Sequence, residues 1–229
     1  MLVTLHVWRV PPHRLGAAWL RMATEPRRVR ALPGVRFAKL GGTGAGRTFG
    51  PGDADLTRYT ALVVWDGDGR PDDVDRPWLG VAAQRARVDL TPVASRGSWS
   101  GVAPFGAPEP RRTTGPVLAL TRARLRPSRM LTFWRAVPPV AREVADAPGL
   151  LARMGFGEAP IGWQGTVSLW RSAADLTAFA YRHPVHRAVI ARTPTDRWYA
   201  EELFARFAVL GISGDRDVLG WREGGLADR

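Results

Sequence analysis

The stretch "LVTLHVWRVPPHRLGAAWLRMATEPRRVRALPGVRFAKLGG" (Leu2–Gly42) decides the fold, because its pattern recurs as "VLALTRARLRPSRMLTFWRAVPPVAREVADAPGLLARMGFG" (Val117–Gly157). Each copy begins with an apolar run typical of a strand, which is followed by a proline and an amphipathic stretch. A Pro-Gly pair and a second strand-like run then follow. Trp19 and Trp134 occupy the same place in the two copies, 115 positions apart (134 − 19). A shared order of elements at one separation indicates an internal repeat.

The same pattern continues through both halves of the chain. "YTALVVW" (Tyr59–Trp65) corresponds to "GTVSLW" (Gly165–Trp170), helices are predicted over Trp78–Val88 and Ala173–Arg192, and each half closes with a further strand candidate. The order β-α-β-β-α-β is that of the ferredoxin-like unit. We therefore predict an α+β fold in which two fused ferredoxin-like repeats form a domain like the dimeric α/β barrels.

Composition places the boundary between the halves. Residues 102–116 are rich in Pro, Gly and Thr and are predicted to link an N-terminal half, residues 1–101, to a C-terminal half, residues 117–229, which ends in a tail. Two such halves can bury the bare faces of their sheets against each other. This arrangement predicts a cavity between the sheets that suits an apolar ligand. Trp19 and Trp134 are interpreted as core residues.

The charged residues and the missing cysteines exclude several functions. The chain has 229 residues, no cysteine and a formal net charge of +12, carried by arginine with Lys39 as the only lysine. Disulfides, thiolate metal sites and cysteine nucleophiles are therefore excluded. The arginines form no long basic block and no nucleic-acid motif is present, so we expect no nucleic-acid partner. The N-terminus does not resemble a signal peptide and no apolar run reaches about 18 residues, which predicts a cytoplasmic protein.

Two of the four histidines lie around a proline in "FAYRHPVHRAVIAR" (Phe179–Arg192). His183 precedes the proline and is interpreted as an exposed residue at a helix cap or kink. His186 shares a helical face with Val189 and Ile190, so it points toward the core or a cavity. The residue pattern alone favours a hydrogen-bonded core histidine over a ligand. Because no second histidine or carboxylate lies three or four residues away on this face, zinc or non-haem iron has weak support, whereas haem iron needs only one imidazole.

A family resemblance bears on this choice. It is carried in chain order by "FAKLGGTGAGRTF", "ASRGSWSGVAPF", "LALTRARLRPSRMLTFWRAVP", "MGFGEAPIGWQGTVSLW" and "PVHRAVIARTPTDRWYAEELFARFAVL". Together these segments resemble the spheroidene monooxygenase family of carotenoid biosynthesis. The resemblance implies a haem-dependent monooxygenase with haem b between the two halves and His186 as the axial ligand of its iron. It also implies a small apolar substrate, an electron donor such as a ferredoxin, and contact with a membrane surface.

The other site residues are expectations around that haem. Arg153 stands where the family carries a lysine, and "IGWQ" replaces a segment that begins with tryptophan in the family, so the substrate can differ. The glycine-rich stretch Gly41–Gly46 is interpreted as a lid or a loop that contacts the haem propionates. Candidates for the distal, catalytic side are Arg153, Glu158, Gln164 and Arg206, and candidates for packing at the haem edge are Trp198 and Tyr199.

Two alternatives stay open at this point. One is a haem enzyme that performs no oxygenation, such as a dehydratase or a peroxidase-like protein. The other is a ferredoxin-like protein without a cofactor, which binds or oxidises a small aromatic molecule and uses His186 only for packing. The fold alone does not separate them, because one fold supports many chemistries.

Overall fold

The computed structural model describes residues 1–44, 51–135, 144, 146–158, 162–182 and 198–222. Eight antiparallel strands in these segments close into a barrel in the order β1-β3-β2-β6-β7-β5-β8-β4. The strands are β1 (Leu2–Arg9), β2 (Val35–Gly44), β3 (Ala54–Trp65), β4 (Gln84–Gly97), β5 (Val117–Leu125), β6 (Leu150–Gly157), β7 (Trp163–Trp170) and β8 (Tyr199–Gly214). The helices are α1 (Leu15–Arg30), α2 (Asp72–Asp75) and α3 (Ala173–Arg182), with a further helical segment at residues 130–135.

The strands divide into two groups of four with the same internal order, β4-β1-β3-β2 and β8-β5-β7-β6. Pairing of β2 with β6 and of β4 with β8 joins the groups and leaves no free sheet edge in the barrel. The observed fold is therefore α+β, as predicted. In the described residues, no helix is long and apolar enough to cross a membrane.

The barrel interior is filled by side chains from both groups of strands. Val3, Leu5, Leu118 and Leu120 are each no more than 2% exposed and belong to one apolar cluster. Two small voids lined by residues of this cluster have volumes of about 10 Å³ each, which is room for a single water. The predicted ligand cavity between the sheets is thus wrong for the described residues. Alternation along every strand supplies enough apolar side chains to pack the space completely.

A glycine cluster closes the barrel where β2 meets β6. Gly42 pairs with Gly157, and a Cβ atom added at Gly41 would lie 2.4 Å from the carbonyl oxygen of Gly157. Only glycine allows the two backbones to approach this closely. Residues 41–44 therefore form the end of strand β2, and the prediction of a lid or loop is wrong for them. Residues 45 and 46 lie outside the described residues.

The helix predicted over Trp78–Val88 is also wrong. A turn of helix at Asp72–Asp75 continues as a 3-10 turn over Arg76–Trp78, and β4 begins at Gln84. Ala86 and Val88 are buried while the alternate residues are not, which is the two-residue period of a strand. Pairing with β1 on one side and β8 on the other satisfies the backbone of this segment.

Candidate functional site

The outer face of the C-terminal strands, which we call the C-terminal face, carries mostly small side chains on its two central strands, β5 and β7. Its residues alternate with those of the interior cluster, so they lie on the side of the sheet away from the barrel axis. Strand pairing aligns them in three rows from β6 to β8. The rows are Gly157–Gln164–Ala123–Glu202, Gly155–Thr166–Thr121–Phe204 and Arg153–Ser168–Ala119–Arg206.

The corresponding outer face of the N-terminal strands carries larger residues at several of these positions. Its rows are Gly42–Tyr59–Trp8–Arg85, Leu40–Ala61–His6–Arg87 and Ala38–Val63–Thr4–Asp89. Trp8 is fully buried and stacks on Trp78 with ring centroids 4.4 Å apart. At the equivalent positions of the C-terminal face, Ala123 stands in place of Trp8 and Gly155 stands in place of Leu40. The same fold therefore carries large outer side chains in one half and small ones in the other, where Ala123 is buried and Ala119 packs beside the cluster of Val117 and Trp170. We call these outer positions with small side chains the recess.

Two arginines flank the recess. Arg153 and Arg206 stand at opposite ends of the third row, with Ser168 and Ala119 between them. Three strand spacings separate their backbones by roughly 14 Å. Both side chains are partly buried. A flat ligand with carboxylates could lie on the small residues and reach these two cations.

A cleft, which we call the seam cleft, lies over the junction of β2 and β6. Its volume is about 470 Å³, within the range of small-molecule sites. Trp19 and Met22 of α1 line it on one side, and Trp134 of the helical segment lines it on the other. Trp19 is 57% exposed, so its interpretation as a core residue is wrong. The cleft shares Gly155, Gly157 and Gln164 with the C-terminal face, so the two spaces adjoin. The paired tryptophans therefore flank a cleft.

Glu158 closes one end of this cleft within a buried group of charges. Its Oε1 atom accepts hydrogen bonds from Trp99 Nε1 at 2.6 Å and from Arg122 Nε at 3.2 Å, and its Oε2 atom lies 2.9 Å from Lys39 Nζ. Arg122 is fully buried and its Nη1 atom also donates to Glu201. Two cations thus balance two carboxylates, as burial of charge requires. This arrangement holds Glu158 in one orientation at the edge of the cleft.

Glu201 anchors the same group through the backbone. Burial opposes its ionisation, but the N–H groups of Gly101 and Ser100 and the Arg122 guanidinium outweigh burial and lower the pKa of Glu201 to about 2. The Gly101 N–H lies 2.7 Å from Glu201 Oε1. Glu201 is therefore ionised at every physiological pH and holds the Arg122 side chain in place. The guanidinium carbon of Arg122 lies 5.6 Å from the centroid of the Trp99 ring and 5.7 Å from that of the Trp163 ring.

Trp198 and Tyr199, the residues predicted at the haem edge, lie just before and at the start of β8. Trp198 is 1% exposed and packs edge-on against Phe133 with centroids 5.8 Å apart. Burial, together with Glu202, raises the pKa of Tyr199 to about 12, so its phenol stays protonated at neutral pH. The two residues form an aromatic wall beside the helical segment 130–135, and its role at a haem edge stays a prediction.

The structure places the predicted catalytic residues in two groups. Arg153, Gln164 and Arg206 lie together on the C-terminal face, whereas Glu158 belongs to the charge group at the end of the cleft. His186 and His183 lie outside the described residues. Within those that are described, no group of three or more histidine and acidic side chains could hold a metal ion.

Sequence reasoning missed Arg122, Lys39, Trp99 and Glu201. A signal existed for Arg122, because it follows Leu118 and Leu120 at the two-residue period of an inward-facing strand. An arginine at such a position must be paired inside the protein. Its partners could not be read from the sequence, since Glu158 and Glu201 are 36 and 79 positions away.

The closed barrel and its strand order define a class of protein, the α+β barrels with ferredoxin-like strand order. A crystal structure of aldoxime dehydratase in complex with butyraldoxime matches with a TM-score of 0.59 and 10% identity, covering 91% of this chain and 79% of that one. At this identity the likeness shows the fold alone. No family model matches the chain.

Two curated relatives are much closer in sequence. Spheroidene monooxygenase from Rhodobacter capsulatus is 33% identical over 205 residues, which cover 85% of this chain and 83% of the relative. Spheroidene monooxygenase from Rubrivivax gelatinosus is 34% identical over 189 residues, which cover 80% of this chain and 72% of the relative. The chain belongs to the spheroidene monooxygenase family, and the resemblance seen in its sequence segments is confirmed.

Proposed function

We propose that this protein is a monooxygenase acting on a carotenoid, and that it does so with haem b held on the C-terminal face. The observation that carries the proposal is the contrast between the two outer faces. Family membership makes the protein an oxidoreductase, and an oxygenase needs a place for both an oxygen-activating group and a substrate. The small residues Ala123 and Gly155 are proposed to leave room for them, at the positions where the N-terminal face holds Trp8 and Leu40.

The residues of the C-terminal face fit haem b chemically. Haem b is a flat apolar macrocycle with two carboxylates, and the face offers small residues to lie against and the arginines Arg153 and Arg206 to pair with carboxylates. His186 is proposed as the axial ligand, from its sequence context. When bound, haem b would supply the oxygen activation that the reaction requires. Haem b is therefore proposed to lie on the outer face and not in the interior between the two halves, because the interior of the barrel is packed with side chains.

The side chains on the face have distinct proposed roles. The hydroxyl groups of Thr121 and Thr166 and the amide of Gln164 can hydrogen-bond to a polar group above the sheet. Glu158 is already bonded to Trp99, Arg122 and Lys39, so we assign it to positioning the end of the cleft.

The substrate is proposed to lie in the seam cleft. The indoles of Trp19 and Trp134 give two flat apolar walls, which suit a conjugated polyene. The shared lining by Gly155, Gly157 and Gln164 would bring one end of the substrate beside the haem. Insertion of one oxygen atom from O₂ leaves the other to become water with two electrons and two protons. We propose an electron donor such as a ferredoxin as their source.

The organisation of the chain is part of the same proposal. We propose that residues 1–101 and 117–229 are two repeats of one ferredoxin-like unit, joined by residues 102–116. The shared strand order and the matching places of Trp19 and Trp134 on either side of the seam cleft support this. One repeat would have kept a packed outer face while the other opened its face to a cofactor.

The test is a visible spectrum of protein expressed with haem supplementation, followed by His186→Ala and His183→Ala variants. We expect a Soret band in the wild type, loss of haem or of its nitrogen-ligand spectrum in His186→Ala, and a spectrum close to wild type in His183→Ala. Conversion of spheroidene with O₂ and reduced ferredoxin, followed by chromatography of the pigments, tests the reaction itself.

Each outcome is decisive for one part of the proposal. A protein that binds no haem under these conditions, yet converts the carotenoid, would refute haem dependence and leave the family activity in place. Haem binding that survives in His186→Ala but fails in His183→Ala would move the ligand to His183. If the protein binds haem but consumes no O₂ when spheroidene and a reductant are supplied, the proposal that spheroidene is its substrate would be wrong.

A further inference from the structure

The mouth of the seam cleft is surrounded by exposed apolar side chains. The described residues include nine large hydrophobic residues that are exposed. Three of them line the cleft and two more are close in the chain to residues that line it, and we call these five residues the rim. Trp19, Leu56 and Trp163 line the cleft themselves, Leu20 follows Trp19 on α1, and Leu131 lies one helical turn before Trp134. Their exposed fractions run from 38% to 66%. A concentration of this kind around one opening marks an interaction surface.

The C-terminal side of the rim is basic. Arg124, Arg126 and Arg129 are exposed, and the Arg124 guanidinium carbon lies 5.9 Å from the centroid of the Trp163 ring. Among the described residues, none of the three forms an ion pair with a carboxylate. The cleft lining contains three acidic residues: Asp53 is buried, Asp55 lies 3.6 Å from both Arg9 and Arg58, and Glu158 is paired with Lys39 and Arg122. The rim therefore presents unpaired positive charge beside its apolar residues.

We propose that this rim docks on an anionic lipid bilayer. Indole rings prefer the boundary between lipid head groups and acyl chains, and arginines beside them attract anionic lipids. The proposal rests on the proposed function, because a carotenoid is dissolved in lipid and must enter the cleft from there. Docking in this orientation places the cleft mouth against the acyl chains, so the substrate passes from lipid to protein without crossing water.

The experiment is co-sedimentation of the full chain with vesicles, which needs neither haem nor turnover. Vesicles of phosphatidylcholine alone are compared with vesicles in which about a third of the lipid is phosphatidylglycerol. We expect binding to the anionic vesicles only. The Leu20→Ser, Leu131→Ser double variant should bind about tenfold more weakly. Each of the single variants Arg124→Gln and Arg129→Gln should lose roughly fivefold in affinity.

The chain provides a matched control in the Leu79→Ser, Leu210→Ser double variant. Leu79 and Leu210 are 54% and 62% exposed and do not belong to the rim, so their removal should leave vesicle binding unchanged. Circular dichroism of each variant verifies the fold. Absence of binding to anionic vesicles, equal binding to neutral ones, or equal losses in the rim and control variants would overturn the proposal. A wild type that binds haem and still ignores vesicles would overturn this inference alone, leaving the proposed function intact.

Discussion

At the scale of single residues, the N-terminal face is held by a buried polar network around His6. His6 Nδ1 donates to the carboxylate of Asp75 at 3.0 Å, and Trp8 Nε1 donates to the same carboxylate at 2.8 Å. His6 Nε2 lies 2.9 Å from Thr4 Oγ1. Burial alone would raise the pKa of Asp75, but the bonds from His6 and Trp8, with the charge of Arg87, hold this pKa below its ordinary value. The network occupies the positions that correspond to the proposed cofactor site on the C-terminal face.

This network predicts a stability that depends on pH. Because the folded-state pKa of Asp75 lies below its unfolded value, the stabilisation is complete above about pH 4 and disappears as the pH falls through the lower, folded pKa. Asp75→Asn should reduce the free energy of unfolding by about 1–3 kcal/mol at pH 7, and by progressively less below pH 4. Urea unfolding at several pH values measures both effects.

The matched control for this prediction is Asp72→Asn on the same short helix. The side chain of Asp72 is 89% exposed, so its ion pair with Arg87 should contribute no more than about 0.5 kcal/mol. A loss in Asp75→Asn that equals the loss in the control, or that grows as the pH falls, would contradict the role given to Asp75.

At the scale of elements, the pair of strands β1 and β5 carries the contrast between the two outer faces. β1 and β5 occupy equivalent places in their sheets, and Trp8 of β1 corresponds to Ala123 of β5 on the outer face. Ala123→Trp should therefore rebuild the packed surface of the N-terminal half. We expect a folded protein whose haem affinity falls at least about tenfold, roughly 1.4 kcal/mol, because the indole occupies the recess.

The comparison variant is Ala123→Ser, which adds a single oxygen atom and should retain haem. The haem affinity of each variant is measured by titration with haem, followed by the absorbance of the Soret band. Circular dichroism verifies that each variant is folded. Equal haem binding by Ala123→Trp and Ala123→Ser would show that the cofactor does not lie on this face.

At the scale of the whole molecule, the two halves share one interior. The core cluster combines Val3 and Leu5 of the N-terminal half with Leu118 and Phe207 of the C-terminal half, and Phe105 of the predicted linker packs edge-on against Phe207 at 4.9 Å. Strand pairing at both junctions adds backbone hydrogen bonds between the halves. Neither sheet can bury its inner face without the other.

This shared interior predicts a single cooperative unfolding transition. Scanning calorimetry should give one peak with an enthalpy of about 160 kcal/mol near 60 °C, and the van't Hoff enthalpy should agree with it. Two resolved peaks, each with about half of that enthalpy, would show that the halves unfold as separate domains.

The local patterns of the sequence predicted several of the strands and the α+β class. β3 and β7 were predictable because Tyr59–Trp65 and Gly165–Trp170 have the strand pattern within a few consecutive residues. Arg153, Gln164 and Arg206 were predicted as site residues, and their grouping on one face follows from alternation along three strands. The predicted helix over Trp78–Val88 failed because pairing with strands distant in sequence overrides local preference.

Only the tertiary structure decided which spaces are filled and which charges meet. Whether the sheets enclose a cavity depends on the summed volumes of side chains from eight strands, and the interior proved to be packed while the seam cleft lies over the junction of β2 and β6. Trp19 has the same neighbours in sequence whether it is buried or exposed, so its place at the cleft could not be read from the chain. Arg122, Glu158 and Glu201 meet because β5 pairs with β8, which carries Glu201, and with β7, which in turn pairs with β6, the strand that Glu158 follows. Sequence periodicity is a property of neighbouring residues, whereas cavities and buried ion pairs are properties of segments brought together by folding.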